Sequence, residues 1–270
     1  MTQARPLSLI TGASAGIGAA FARALAALGH DVVLTARRTD RLELLATELR
    51  AAHGIQATVL TNDLADPHAV EQLCAELDRR GLQVDWLINN AGYGVPGRFD
   101  ANAWATHADF LRVLVTAPTE LAWRLIGAMR ERGYGRIVNV ASLAGHVPGS
   151  AGHTLYAASK SFWIRTSQSL ALENADKGVN VCALCPGFTW SEFHDVTGTR
   201  TLMNKLPNFM WQTADEVVKE GIDAVERGEA VRVTGRTNRF IKTVFKLMPD
   251  KLALKISAKQ SKRYRAQDNH

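Results

Sequence analysis

Cysteine is scarce, 3 in 270 residues, which excludes a disulfide-stapled scaffold. Proline (8) and glycine (21) are too few for a collagen-like or low-complexity chain. No apolar run approaches the ~20 residues of a membrane-spanning helix. Met1-Thr-Gln-Ala-Arg-Pro6 leads into a short apolar segment without a signal-like core, so the expectation is a soluble, cytoplasmic protein. His146, His153 and His194 lack spaced acidic or Cys partners, and no metal site is expected. Excess charge is also missing from most of the chain. Gly235–His270 holds ten Lys/Arg against Asp250 and Asp268, a charge of +8 out of a net +6, leaving −2 before it. Basic character confined to a tail is not a nucleic-acid-binding surface, and no nucleic-acid partner is expected.

What is present is a core-forming chain, 46% hydrophobic and 21% charged. Strand-like and helix-like segments alternate along it. Strands are read at 7–10, 31–35, 57–61, 84–88, 137–140, 179–184 and 230–233. Helices are read at about 17–28, 40–52, 66–80, 118–132, 156–176 and 214–227. Asp66-Pro67 reads as the cap and first turn of the third helix. Apolar strands alternating with helices predict an α/β fold: a doubly wound, mainly parallel, seven-stranded Rossmann-like sheet covered on both faces. The expected organisation is one domain over 5–235 and a basic extension over 236–270. Cys182 and Cys185 have redox-pair spacing, yet residues three apart on a strand face opposite sides, so they read as two core thiols.

The first chemistry-bearing segment is Thr11-Gly-Ala-Ser-Ala-Gly-Ile-Gly18, between the first strand and first helix. Glycines there permit a tight turn and close approach to a pyrophosphate at the helix N-terminus. The end of strand two decides which dinucleotide binds. An acid there suits a ribose 2′-hydroxyl, and positive charge suits a 2′-phosphate. Leu34-Thr-Ala-Arg-Arg38 carries Arg37 and Arg38 with no carboxylate before Asp40, which favours NADP(H) over NAD. The second segment is Tyr156-Ala-Ala-Ser-Lys160, where i and i+4 share a helix face. A Lys cation beside a phenol favours phenolate and is expected to lower a pKa that is ordinarily about 10. Ser142 ends strand five, at the sheet edge where ligands bind.

With Asp63-Leu64, Asn89-Asn-Ala-Gly92 and Pro186-Gly187 added, the chain resembles the short-chain dehydrogenase/reductases over roughly residues 5–235. The resemblance implies an enzyme that moves a hydride between NADP(H) and a carbonyl or alcohol. It makes Tyr156 the acid/base and Ser142 the group that polarises the substrate oxygen. Lys160 tunes the tyrosine and holds the nicotinamide ribose. Gly12, Ser14, Gly16, Ile17 and Gly18 form the dinucleotide turn with Arg37 and Arg38. Asp63 and Leu64 lie by the adenine, Asn90, Ala91 and Gly92 by the ribose, and Pro186, Gly187 and Thr189 by the nicotinamide, with Tyr156 and Lys160 also touching the cofactor. It further implies a homodimer or homotetramer through the helices flanking strand five. One departure stands out. Leu114 occupies the place where the family usually has an Asn that helps hold a water beside the Lys; either the Leu114 backbone carbonyl still holds that water, or a functional enzyme with a slower or different proton relay is expected.

Phe188, Trp190, Phe193, Met203, Phe209, Met210 and Trp211 follow Pro186-Gly187 and suggest a bulky or lipid-like substrate, or packing of a flap. The tail segment 240–248 mixes apolar residues with lysines before Pro249. It reads either as helix packed on the body or as peripheral contact with an anionic membrane. Alternative readings are an NAD-dependent alcohol dehydrogenase, or an NADP-binding sensor or scaffold with weakened catalysis.

Overall fold

The computed structural model describes residues 5–152, 154–190 and 210–265. Phe193, Met203 and Phe209 of the suggested flap, and His153 and His194, lie outside the described residues.

Seven parallel strands form the sheet: β1 (Leu7–Thr11), β2 (Asp31–Thr35), β3 (Ala57–Val59), β4 (Trp86–Asn89), β5 (Gly135–Val140), β6 (Val179–Cys185) and, last in the chain, β9 (Val231–Val233). Their spatial order is β3-β2-β1-β4-β5-β6-β9. The order reverses between β1 and β4, which opens a crevice at the carboxyl ends of those strands. Successive strand residues serve opposite layers. Ile10, Val32, Ile88, Val138 and Cys182 join one buried cluster, and Leu9, Val33, Leu87, Ile137 and Val181 the other. Strands apolar on both faces are stable only when helices cover both.

One layer comprises α1 (Gly16–Ala27), α2 (Thr39–His53) and α7 (Ala214–Glu226); the other holds α3 (Ala69–Arg79), α4 (Trp104–Leu111), α5 (Ala117–Glu131) and α6 (Thr154–Glu173). Two features were not read from the sequence. α4 runs through a π-helical turn, Arg112–Thr116, into α5, and a short parallel pair forms between β7 (Phe188–Thr189) and β8 (Trp211–Gln212). The third helix also starts later than Asp66-Pro67 suggested. The Asp66 carboxylate accepts from the His68 N–H at 2.8 Å, and this local turn delays the helix to Ala69. Past β9 come α8 (Arg236–Leu247) and α9 (Asp250–Arg265), separated at Pro249.

The π-helical turn has a covalent cause. In an α-helix the Leu114 carbonyl would accept from the N–H of residue 118, and Pro118 has none. Its ring also crowds that carbonyl, so the turn widens. The indole N–H of Trp163 on α6 fills the vacancy at 2.6 Å, and the Thr119 hydroxyl donates to the Val115 carbonyl, also at 2.6 Å.

Candidate active site

The glycine-rich turn leaves β1 at the crevice and is clamped by the segment after β4. The Thr11 hydroxyl accepts from the backbone N–H groups of Asn90 and Ala91, each at 3.0 Å. The Asn90 amide donates back to the carbonyls of Thr11 (2.9 Å) and Gly12 (3.2 Å). Gly12 has φ +66°, and a Cβ there would meet the Asn90 amide at 2.8 Å and the Ala91 backbone at 2.9 Å. A Cβ on Gly18 would stand 2.3 Å from the Gly12 carbonyl. Both positions therefore require glycine on packing grounds. Asn90, expected beside a ribose, is itself a brace of the turn.

The turn fits a dinucleotide. α1 has no capping side chain at Ala15 and no acid in its first turn, so its leading N–H groups point at the crevice without an internal anion. At the end of β2, Arg37 and Arg38 are exposed, and the Arg38 guanidinium reaches the Ser14 hydroxyl in the turn at 3.0 Å. Asp63 is exposed and accepts from the Ala65 N–H at 3.1 Å, whereas the Leu64 side chain is buried in the core.

Ser142, Tyr156 and Lys160 come together at the carboxyl edge of β5 and β6. Ser142 follows β5 in extended backbone and accepts from the Ala144 N–H at 3.1 Å. The N–H of Leu143 donates to the Pro186 carbonyl at 2.8 Å, tying this loop to the end of β6. The Ser142 hydroxyl hydrogen-bonds the Tyr156 phenol. Lys160 is buried and donates to the Val140 carbonyl at 2.7 Å, with Nζ 5.6 Å from the centre of the Tyr156 ring. Burial pushes the phenol up to about 12, partly offset by Ser142, and pushes the Lys160 ammonium down to about 8. The depressed tyrosine pKa expected from the sequence is thus reversed. Desolvation of the phenol dominates, and the Lys160 ammonium donates to the Val140 carbonyl.

Beneath these residues lies a buried polar network that sequence reasoning missed. Asn89 on β4 donates to Asn139 on β5 (2.9 Å), and Asn139 donates to Ser167 on α6 (2.9 Å). It fixes α6, and with it Tyr156 and Lys160, against the strands. The signal was two asparagines in otherwise apolar strands. Leu114, at the place of the family's usual Asn, is buried in the core, its side chain lying against Gly92. Gly187 lies under Asn238 of α8, whose amide atoms a Cβ would meet at 2.3–2.5 Å. Thr189 is buried just beyond it. Cys182 and Cys185 fall in different core clusters, and burial pushes both thiols up to about 12. Among the described residues no cluster of His, Cys, Asp or Glu could hold a metal ion.

A model of the short chain dehydrogenase family matches residues 7–200. The chain belongs to this short-chain dehydrogenase family. Among curated relatives, nodulation protein G of Rhizobium sp. is 37% identical over 235 residues, 85% of this chain and 93% of that protein. Ketoacyl reductase HetN of Nostoc sp. is 32% identical over 89% of this chain and 82% of that one. A short-chain dehydrogenase from Sphingobium yanoikuyae, solved in complex with NADPH, superposes with TM-score 0.78 at 35% identity, covering 84% and 87% of the two chains. The bulky-bulky ketone specific alcohol dehydrogenase from Comamonas testosteroni superposes with TM-score 0.74 at 30% identity, covering 90% and 95%. As a short-chain dehydrogenase, the protein is an oxidoreductase acting between CH–OH and C=O groups.

Proposed function

We propose that this short-chain dehydrogenase is NADP(H)-dependent and interconverts a bulky, lipid-like ketone and its secondary alcohol. The observation that carries the reading is the convergence of the Ser142 hydroxyl, the Tyr156 phenol and the Lys160 ammonium at the sheet's carboxyl edge. Bound nicotinamide would supply or accept the hydride. Tyr156, with its pKa near 12, stays protonated at neutral pH, the form that reduction of a carbonyl needs. Its proton passes from Oη to the substrate oxygen as that oxygen gains charge, and the phenolate left behind faces the Lys160 cation. Ser142 donates to the same substrate oxygen and orients it. In alcohol oxidation each proton runs backwards.

NADP(H) is supported by Arg37 and Arg38 at the end of β2, by the absence of an acid before Asp40, and by the NADPH bound to the Sphingobium relative. An apolar substrate is supported by Val95, Phe99, Phe110 and Leu155, which with His107 line a narrow cleft beside Tyr156. A bulky one is supported by likeness to an enzyme named for bulky ketones. A homodimer or homotetramer through α5 and α6 is supported by Trp123 and Leu172, which stand exposed on those helices.

The test is oxidation of NADPH and of NADH against ketones from small aldehydes to long-chain 3-oxo compounds and steroids. Turnover with NADPH on the larger ketones is expected, with Tyr156→Phe lowering kcat by about 10²–10⁴-fold. Preference for NADH would make this an NAD-dependent alcohol dehydrogenase. Tight NADPH binding without turnover in either direction would make it a sensor.

A further inference from the structure

We propose that α8 and α9 form a docking surface for an anionic lipid bilayer at the mouth of the active site. α8 is anchored by one face. Asn238 is buried over Gly187 and donates to the Thr234 carbonyl at 2.9 Å, and the helix packs on the turn Leu143–His146 that follows Ser142. α9 is anchored by Ala253 and Ser257, and the Ser257 hydroxyl donates to the Gly149 carbonyl at 2.8 Å, between Ser142 and Tyr156. Both helices therefore sit on the loop that joins the two candidate catalytic residues.

Their outer faces are apolar and basic. Phe240, Val244 and Leu247, at i, i+4 and i+7 on one side of α8, are 70%, 37% and 80% exposed. Leu252 and Leu254 of α9 are 49% and 56% exposed. Arg236 and Lys246 stand exposed on α8, and Lys251 and Lys255 on α9. From Arg236 to Ala258 the sequence has six Lys/Arg and one acid, Asp250; Arg239 is paired inward with Glu220 at 3.1 Å, which leaves five cations against that acid. Large apolar side chains held in water beside cations match an interfacial bilayer site, where the rings and aliphatic chains enter the acyl boundary and the cations meet anionic headgroups. A second copy is disfavoured by charge, because a two-fold contact through this face would oppose its cations to themselves. Docking rests on the tail's own geometry. Uptake of a lipid-like ketone from the bilayer rests additionally on the function proposed above.

The experiment is co-sedimentation of the full-length protein with vesicles of phosphatidylcholine alone and with about one part phosphatidylserine to three of phosphatidylcholine. Binding to the anionic vesicles only is expected. It should weaken about tenfold or more in Phe240→Ser/Leu247→Ser and in Lys246→Glu/Lys251→Glu. Turnover of a short, soluble ketone should stay at the wild-type level in both variants, which separates failure of docking from failure of the proposed chemistry. No sedimentation of the wild type, or equal sedimentation of wild type and variants, overturns the proposal. So does a smaller sedimentation coefficient in the Phe240→Ser/Leu247→Ser variant, which would make the face an interface between copies.

Discussion

The indole N–H of Trp163 and the main-chain carbonyl of Leu114 meet at 2.6 Å in the protein interior. This contact pins α6 three residues beyond Lys160 to the widened turn that Pro118 imposes. Trp163→Phe replaces the indole with a smaller phenyl and strands the carbonyl. The expected loss is about 1–3 kcal/mol of unfolding free energy in urea melts. A variant as stable as the wild type would mean that another donor reaches the carbonyl.

Glycine at 12 and 18 is demanded by neighbouring backbone as well as by any ligand. Gly18→Ala would press a methyl onto the Gly12 carbonyl and is expected to cost about 1–3 kcal/mol. NADPH affinity should fall together with stability. Chemical denaturation and cofactor titration of the same sample check the pairing, and loss of affinity at unchanged stability would contradict it.

Arg37 and Arg38 govern cofactor choice in the proposed function. Arg37→Ser/Arg38→Ser is expected to raise KM for NADPH about 10–100-fold, the worth of one or two charged hydrogen bonds. KM for NADH should change by no more than about threefold, because its ribose carries no 2′-phosphate. Parallel loss with both cofactors would mean the arginines shape the turn and do not read the phosphate.

Lys160 has its pKa pushed from 10.5 down to about 8, so the ammonium is complete below that pH and is lost above it. Reduction that relies on the cation should decline as pH rises through about 8. Lys160→Arg, whose group stays charged, should remove the decline even if the overall rate drops. A wild-type profile flat to about pH 10 would assign the cation no part in turnover.

His146 follows Ser142 by four residues, with its Nε2 buried and without a hydrogen-bond partner among the described residues. Burial, with Lys242 of α8 and Arg165 of α6 nearby, pushes its pKa from 6.5 down to about 4. The fold thus favours neutral imidazole. Its stabilising contribution is whole above pH 6.5, shrinks as pH falls, and is gone by about pH 4. Between those limits Tm should drop more steeply in the wild type than in His146→Gln. Identical slopes would show that the imidazole does not report on folding.

Much of this was legible because the signals are local. The glycine turn, Ser142 and the Tyr156–Lys160 pair each lie within a few residues, and strand–helix alternation puts the first two on a common sheet edge. The parallel seven-stranded sheet follows from apolar strands joined by helices. Boundaries moved where a side chain competed with the backbone, as Asp66 does before α3. α4 escaped because its residues 104–111 mix exposed Trp104 with buried His107 and Phe110, a weak periodic signal over eight residues.

The amino-acid sequence alone determined the family, the sheet, the dinucleotide turn and the candidate catalytic trio, since these depend on residue type and short spacing. Only the tertiary structure decided that Tyr156 is driven up in pKa, because desolvation depends on everything packed around the phenol. Only it paired Trp163 with Leu114, 49 residues apart, through the donor that Pro118 lacks. And only it turned Phe240, Val244 and Leu247 outward, because Asn238, Ala253 and Ser257 on the same helices were drawn against the active-site loops.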